Sequence, residues 1–319
     1  MKLGFVSDSL GGMSFEDMLD HAARMGVSGV EVNTCGWSTA PHFGLKSMLG
    51  NGAKQKAFLK AFADRGLEVI SLNANGNPLH PTDPAQAEGL KDTIRVAGEM
   101  GIRTVCTMSG LPSGNATDTM PNWVVSSWPP ETQAILRYQW EEKLLPFWSE
   151  IVALARASGV ERIALELHGN QCVYNVPSLL KLRKAVGPVV GANLDPSHLF
   201  WMGADPLVAA EALGPAIYHV HAKDTSLNAP VQAVTSLLEN GSLMDIPARS
   251  WSYITLGFGH GEEWWRQFCY RLKMAGYDGW LSIEHEDVLL NSLEGLEKSV
   301  ALLKAVMPAA PADYKPQAI

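Results

Sequence analysis

Four side chains that suit metal chemistry stand at or beside the ends of four successive apolar segments in the second half of the sequence. They are Glu166, Asp195, His221 and Glu284. Carboxylates that share a partly dry pocket repel one another, and a divalent cation is the simplest way to neutralise them. Three carboxylates and one imidazole suit a six-coordinate ion and leave two positions for substrate oxygens. We therefore predict one metal site, with Mn²⁺ as the expected ion and Mg²⁺, Co²⁺, Fe²⁺ or Zn²⁺ as alternatives.

Further polar side chains are expected beside this site. Side chains two residues apart on a strand share a face, so His168 lies on the face of Glu166 and Lys223 on that of His221. His260 stands in a glycine-flanked turn, where the backbone can approach a ligand closely. We predict that these three residues bind substrate, with Lys223 pairing with a substrate oxygen or phosphate. The scarcity of other basic residues near the strand ends favours an unphosphorylated substrate.

The elements that must position these residues follow a repeating pattern of short β-branched runs and longer segments of helical period. Eight such units in about 300 residues favour a closed (β/α)₈ TIM barrel with right-handed crossovers. The turn after the first strand lacks the glycine fingerprint of a dinucleotide-binding sheet. The predicted strands are Lys2–Ser7, Gly29–Asn33, Leu67–Asn73, Arg103–Met108, Arg162–Leu167, Val189–Leu194, Ala216–His221 and Gly279–Glu284.

The pattern predicts a single domain over residues 1–306, followed by a C-terminal tail over 307–319. Two extended loops, 111–130 after the fourth strand and 225–261 after the seventh, should lie at the barrel mouth. Ser14, with Asp17 three residues later, reads as the capping box of the first helix. The mouth loops could hold a bulky substrate, or could contact a second copy of the chain or a partner subunit.

Composition narrows the classes of function. The chain has 319 residues, 46% of them hydrophobic, and a formal charge of −8, which is typical of a globular protein and argues against binding nucleic acid through charge. No run approaches the roughly 18 apolar residues that a membrane helix needs. The N-terminus begins directly in a predicted strand, so we expect no signal peptide and a cytoplasmic location. The four cysteines are widely spaced and are expected to be reduced.

The motifs Glu166, Asp195-Pro-Ser-His198, His221-Ala-Lys223-Asp224 and Glu284 resemble the xylose isomerase-like TIM-barrel superfamily. The resemblance is closer to its sugar phosphate isomerase/epimerase family, and it covers nearly the whole chain. It implies proton abstraction next to a carbonyl through a metal-bound enediolate. It further implies that Glu166 and Glu284 bind the metal and exchange the proton as catalytic residues. The residue matching His198 contacts a substrate oxygen in that family, so His198 joins the predicted substrate-binding set.

The sequence leaves more than one outcome open. No arginine follows His221 where the ketose 3-epimerases have one, and the extra histidines of the endonuclease branch are missing. A sugar or keto-sugar isomerase or epimerase is the first hypothesis. The alternative is a lyase with the same metal and base, either an inosose-type dehydratase or a 3-keto-glycoside deglycosidase acting by β-elimination. A sugar-binding protein without activity is disfavoured by the complete four-residue set.

Overall fold

The computed structural model describes residues 1–313, and their strands form a closed parallel barrel. The eight barrel strands are β1 (Lys2–Val6), β2 (Gly29–Asn33), β3 (Glu68–Ala74), β4 (Thr104–Thr107), β5 (Arg162–Glu166), β6 (Val190–Leu194), β7 (Ile217–Ala222) and β10 (Trp280–Ile283). Around the barrel the strands follow the order β1-β10-β7-β6-β5-β4-β3-β2. The predicted TIM barrel is thereby confirmed, and each predicted strand lies within one or two residues of the observed one.

Helices surround the barrel as the crossover connections require. They are α1 (Phe15–Met25), α2 (Leu45–Met48), α3 (Gly52–Ala63), α4 (Pro84–Glu99), α5 (Glu131–Arg137), α6 (Leu145–Ser158), α7 (Val176–Val186), α8 (Pro196–Trp201), α9 (Pro206–Leu213), α10 (Ala229–Thr235), α11 (Glu262–Met274) and α12 (Ser292–Val306). A π-helical segment over Tyr138–Leu144 joins α5 to α6. None of the helices within residues 1–313 is both long and apolar enough to cross a membrane.

Local sequence explains where the helices begin. The hydroxyl of Ser14 accepts a hydrogen bond from the backbone N–H of Asp17 at 3.1 Å, which satisfies a free donor in the first turn of α1. Asp195 caps α8 in the same way, accepting from the backbone N–H of Ser197 at 2.8 Å. The core lies between the helices and the barrel and includes the fully buried Trp148 and Trp265. Burial of each such side chain contributes about 1.5–3 kcal/mol or more to folding.

The two extended mouth loops differ in structure. Residues 111–130 contain no helix or strand. The second insertion contains an antiparallel pair, β8 (Asp224–Leu227) and β9 (Trp251–Ile254), with α10 between them. This insertion was predicted to be a loop, and the polar segment Asp-Thr-Ser-Leu of β8 indeed has no apolar alternation. Its pairing with β9 is a tertiary effect that local pattern does not reveal.

The chain beyond α12 makes no further helix or strand over residues 307–313. The rest of the predicted tail, residues 314–319, lies outside the described residues. Strand register matters more for the site. Glu166 on β5 lies opposite Asn193 on β6, and His221 on β7 lies opposite Ser282 on β10. This register brings the carboxyl ends of four neighbouring strands to one level, where their side chains converge.

Candidate metal centre and substrate cavity

The structure brings the four predicted metal ligands together at the carboxyl end of the barrel. Glu166 ends β5, Asp195 follows β6, His221 lies near the end of β7, and Glu284 follows β10. One potential ligand atom from each residue lies within 4.8 Å of those from the other three. Three of these residues are buried and Glu284 is partly buried, so the carboxylates face one another in a largely water-free space.

Two of these potential ligand atoms are buried without a hydrogen bond to any described residue. Oδ2 of Asp195 and Nδ1 of His221 are buried, and neither has a hydrogen-bond partner among residues 1–313. Buried polar atoms are otherwise almost always paired, since leaving one unpaired costs about 1–3 kcal/mol. A divalent cation would satisfy both atoms at once. The donor set of three carboxylates and one imidazole therefore fits a bound divalent metal ion.

The tautomer of His221 supports the same conclusion. Its Nε2 lies 3.1 Å from a carboxylate oxygen of Glu31, which can only accept a hydrogen bond, so Nε2 carries the proton and donates. In the neutral ring that can bind a metal, Nδ1 then carries the lone pair, and Nδ1 is the atom that faces Glu166 and Glu284. Burial lowers the pKa of His221, but Glu31 and Glu284 outweigh burial and hold that pKa well above its usual value, so a metal ion would displace a proton from Nδ1. A carboxylate that orients a metal-binding histidine in this way is a recurrent feature of metal sites.

Glu31 is itself held firmly beneath the site. It is fully buried on β2 and accepts hydrogen bonds from His219 Nε2 at 2.6 Å and from Asn73 Nδ2 at 2.7 Å, as well as from His221. Burial raises the pKa of its carboxyl, but the adjacent His219 and His221 outweigh burial and hold that pKa well below its usual value. Glu31 is therefore an anionic anchor for His221 one layer deeper in the barrel.

Glu166 is fixed by two further side chains. Its Oε1 accepts a hydrogen bond from Nε2 of His198 at 2.6 Å, and its Oε2 accepts one from the side-chain amide of Asn75. Nδ1 of His198 is in turn 2.9 Å from the hydroxyl of Tyr253. Burial lowers the pKa of His198, but the charge of Asp195 outweighs it and raises that pKa to about 9. His198 thus donates to Glu166 over the physiological pH range.

Lys223 supplies a buried positive charge beside the opposite carboxylate. Its Nζ lies 2.6 Å from Glu284 Oε2, 3.1 Å from Glu286 Oε2 and 3.6 Å from Asp195 Oδ2. Burial lowers the pKa of this ammonium, but the three carboxylates outweigh burial and hold the pKa well above its usual value. Burial likewise raises the pKa of Glu284, whereas Lys223 and His221 lower it, and the net direction is downward. Lys223 and Glu284 thus form a charged pair.

A cavity of about 240 Å³ opens above these residues. Its lining comes from both sides of the barrel mouth and comprises Asp8, Ser9, Asn33, Trp37, Ser38, Asn75, Met108, Glu166, His168, Lys223, Glu284, His285 and Glu286. Polar side chains dominate this lining, and one aromatic ring, Trp37, remains about half exposed at 55%. Such a cavity suits a small ligand with many hydroxyl groups.

The predicted substrate-binding residues fall into two groups. His168 and Lys223 line the cavity, whereas His198 and His260 are not among the described residues that line it. Both ring nitrogens of His198 are engaged by Glu166 and Tyr253, so this residue acts on Glu166. His260 donates through Nδ1 to Oδ1 of Asp224 at 2.8 Å, and its ring stacks on Phe200 with centroids 3.8 Å apart.

Glu31, Asn75 and Tyr253 belong to the site but were not predicted from the sequence. Glu31 had a usable signal, because it is a charged residue inside the apolar segment Gly-Val-Glu-Val-Asn of a predicted barrel strand. Asn75 lies just beyond β3, and residues at the carboxyl ends of barrel strands commonly belong to the active site. Tyr253 lies on β9, within an insertion that showed no strand pattern, and its contact with His198 depends entirely on tertiary structure.

Comparison with known proteins agrees with this architecture. The xylose isomerase-like TIM barrel family matches residues 19–306, and the chain therefore belongs to that family. The uncharacterized protein YfiH of Bacillus subtilis (strain 168) is 46% identical to this chain over 308 residues. The match covers 95% of this chain and 98% of YfiH.

Solved structures with low sequence identity share the fold. An IolI protein with a bound zinc atom has a TM-score of 0.67 and 17% identity, and the match covers 96% of this chain and 98% of IolI. The probable 3-DHS dehydratase AsbF of Bacillus anthracis has a TM-score of 0.65 and 19% identity, covering 95% and 99%. The 3-keto-D-glucoside 4-epimerase YcjR of E. coli has a TM-score of 0.64 and 13% identity, covering 96% and 99%. At these identities the matches show that the fold is shared.

Proposed function

We propose that the protein is a divalent-metal-dependent isomerase or epimerase of a sugar or keto-sugar, working by proton abstraction next to a carbonyl. The observation that carries this proposal is the convergence of Glu166, Asp195, His221 and Glu284, with ligand atoms within 4.8 Å of one another beneath a polar cavity. These four residues would hold the ion, and Mn²⁺ is the proposed metal because oxygen donors dominate the set. The bound ion would supply a Lewis acid that stabilises negative charge on the substrate oxygens.

Glu166 and Glu284 are the proposed proton-transfer groups. Both line the cavity, and they come from strands separated by β6 and β7, so a substrate between them would present one face to each carboxylate. One carboxylate would remove the proton beside the carbonyl. The other would return a proton to the resulting enediolate from the opposite face, relaying it from its hydrogen-bonded cation, which is Lys223 for Glu284 and His198 for Glu166. Exchange with water would then restore both groups. His198 and Asn75 hold Glu166 in orientation, and Lys223 does so for Glu284.

Substrate contacts in this proposal come from His168 and Lys223. The Lys223 ammonium is buried at the cavity wall and is already close to Glu284, so it would pair with a substrate oxygen without ordering a flexible side chain. His168 donates through Nδ1 to the backbone carbonyl of Gly169, which leaves Nε2 as an acceptor for a sugar hydroxyl. Burial and the neighbouring His198 hold the pKa of His168 well below its usual value, so its ring is neutral.

A lyase is the second candidate, and one observation favours it. Lys223 is a buried ammonium within the cavity, and it can donate a proton to a group that leaves from the carbon β to the carbonyl. The same base would then cause β-elimination in place of proton return. AsbF, named as a probable dehydratase, shares the fold and shows that a barrel of this shape hosts such a protein. Which reaction occurs also depends on whether the substrate carries a leaving group on the carbon β to the carbonyl.

The deciding experiment is ¹H NMR in D₂O with the Mn²⁺-loaded protein and a panel of ketoses, inososes and 3-keto-glycosides. Deuterium incorporation beside the carbonyl without loss of a group supports the isomerase or epimerase. Release of water or an aglycone supports the lyase. Exchange that continues after complete removal of divalent ions would contradict the proposed metal dependence in both versions.

We place the protein in the cytoplasm, acting in carbohydrate metabolism on a small molecule and not on nucleic acid or a membrane. All four cysteines are free within residues 1–313, which agrees with a reducing compartment. Association of two copies, or of a partner subunit, through the mouth loops stays a prediction that size-exclusion chromatography with light scattering would test.

A further inference from the structure

A second and larger space adjoins the catalytic cavity. This groove has a volume of about 780 Å³ and lies between the two mouth insertions. It shares His168 and Glu286 with the catalytic cavity, so the two spaces meet along these side chains. We propose, building on the proposed function, that the groove binds an apolar or aromatic substituent attached to the reacting sugar, and that the substrate class is a glycoside or keto-glycoside.

The floor of the groove is a stacked aromatic layer. Trp201 and Trp251 stack with centroids 4.9 Å apart and ring planes 8° from parallel, and both are more than nine-tenths buried. The guanidinium of Arg249 lies 4.5 Å from the Trp251 ring centroid and donates to the backbone carbonyl of Gly241 at 2.7 Å. These contacts join β9 to the 237–243 segment, so the floor is organised before any ligand arrives.

The sides of the groove expose apolar side chains from both insertions. Val125 belongs to the first insertion and is 53% exposed, and Leu238 and Leu243 belong to the second and are 64% and 59% exposed. All three line the groove. Large apolar side chains grouped around a concave surface are typical of a binding site, whereas single exposed apolar side chains scattered over a surface are ordinary. Their chemistry matches an apolar group and not a second polyol.

The relative size of the two spaces favours a substrate with two parts. A volume of 240 Å³ lies below the roughly 300–1,000 Å³ usual for drug-sized ligands, so the catalytic cavity accommodates about one sugar ring. A substituent on that ring would extend past His168 and Glu286 into the groove. Because the groove adjoins the cavity of the proposed reaction along His168 and Glu286, a small-molecule substituent fits its position better than the surface of another protein does.

The test compares pairs of glycosides that differ only in the substituent. Phenyl and methyl pyranosides of glucose, galactose and mannose, in both anomeric forms, are titrated into the Mn²⁺-loaded protein by calorimetry. For at least one sugar we expect the phenyl glycoside to bind about tenfold more tightly than the methyl glycoside, since the phenyl ring would lose its contact with water. Equal affinities within every pair, or no binding of any phenyl glycoside, would overturn the proposal.

Substitutions on the groove wall locate the effect. The double variant Leu238→Ser/Leu243→Ser should reduce the phenyl-to-methyl affinity ratio by about fivefold or more, and Val125→Ser should reduce it from the other insertion. The matched control is Val234→Ser, an 84% exposed aliphatic residue of the same insertion outside the groove lining. An unchanged ratio in both groove variants, with melting temperatures like the wild type, contradicts the assignment. So does a dimer that only the leucine double variant dissociates, since the groove would then belong to a second copy.

The outcome separates this inference from the proposed function. Deuterium exchange in a free sugar together with equal phenyl and methyl affinities would support the proposed function and rule out the groove as a binding site for the substituent. Tighter phenyl binding that depends on Leu238 and Leu243, without metal-dependent exchange in any sugar, would support the groove as a binding site and contradict the proposed reaction.

Discussion

The two halves of the barrel mouth have different chemistry. The acidic half, at the ends of β5, β6, β7 and β10, holds the four candidate metal ligands. The amide half, at the ends of β1 to β4, contributes mainly neutral groups such as Asn33, Asn75 and Met108 to the same cavity. Asp8 also lies in the amide half, where burial raises the pKa of its carboxyl. The acidic half therefore concentrates negative charge. The amide half faces it with neutral amide donors, which do not compete with a cation for the carboxylates.

This difference teaches how an acidic cluster keeps its geometry. Asn75 donates to Glu166, and Asn73 donates to Glu31, so amides from β3 and its following loop fix carboxylates that belong to the metal site or anchor it. A neutral donor orients a carboxylate without offsetting its negative charge, so the carboxylate still attracts a cation fully. The charged donors Lys223 and His198 lie on the acidic half itself.

The largest expected effect comes from neutralising the acidic half. Glu166→Gln or Glu284→Gln keeps the side-chain size and should lower the rate of deuterium exchange by about 10²–10⁴-fold, because the carboxylate that moves the proton is lost. NMR in D₂O measures the rate, and thermal unfolding checks the fold. Glu142→Gln is the matched control, on an exposed glutamate that lines neither the cavity nor the groove, and should stay within about tenfold of the wild type. Near-normal exchange in both primary variants would rule out the proposed chemistry.

Loss of a metal ligand that does not move protons should come next. Asp195→Asn retains an oxygen that can cap α8, so the fold should persist, but the site loses one negative charge. We expect Mn²⁺ affinity to fall by more than about 100-fold, beyond the usual effect of a residue that only supports a ligand. Titration calorimetry with Mn²⁺ measures this directly. An unchanged Mn²⁺ affinity would remove Asp195 from the ligand set.

The third prediction concerns an acidic residue outside the acidic half. Glu31→Gln replaces one carboxylate oxygen with an NH₂ group that must face an N–H donor of His219 or His221. The tautomer of His221 is then less well fixed, and Mn²⁺ affinity should fall by about 10–100-fold. Ser282→Ala serves as the control, since Ser282 is buried in the barrel and its hydroxyl has no hydrogen-bond partner in the described part of the chain. Equal Mn²⁺ binding by Glu31→Gln and the wild type would argue that Glu31 has a purely structural role.

The smallest effect is expected in the amide half. Asn75→Ala removes one hydrogen bond to Glu166, and a bond to a charged group contributes about 1.5–3 kcal/mol. Because His198 still holds the other oxygen, we expect the exchange rate to fall by about tenfold and Mn²⁺ affinity to change little. A drop as large as that of Glu166→Gln would show that the amide half takes part in the reaction and does more than orient the carboxylate.

Much of this site was predictable from strand-end positions. Glu166, Asp195, His221 and Glu284 could be picked out because a barrel must bring the ends of neighbouring strands together, whatever the loops do. His260 shows the limit of the same reasoning. Its glycine-rich turn indicated ligand contact, but the turn is held by Asp224, which accepts hydrogen bonds from the backbone N–H groups of Gly257, Gly259 and His260. The glycines allow the backbone of this turn to close around the Asp224 carboxylate, a contact that is visible only in the tertiary structure.

The sequence by itself determined the barrel, the edge at which its chemistry lies and the donor types available for a cation. These properties depend on hydrophobic period and strand order, which are local or follow from topology. Tertiary structure alone decided that Glu31 fixes the tautomer of His221, that Tyr253 reaches His198, and that a Trp201–Trp251 layer floors a groove beside the cavity. Each of these is a contact between residues far apart in sequence, whose approach depends on packing and on an insertion whose fold no local pattern specifies.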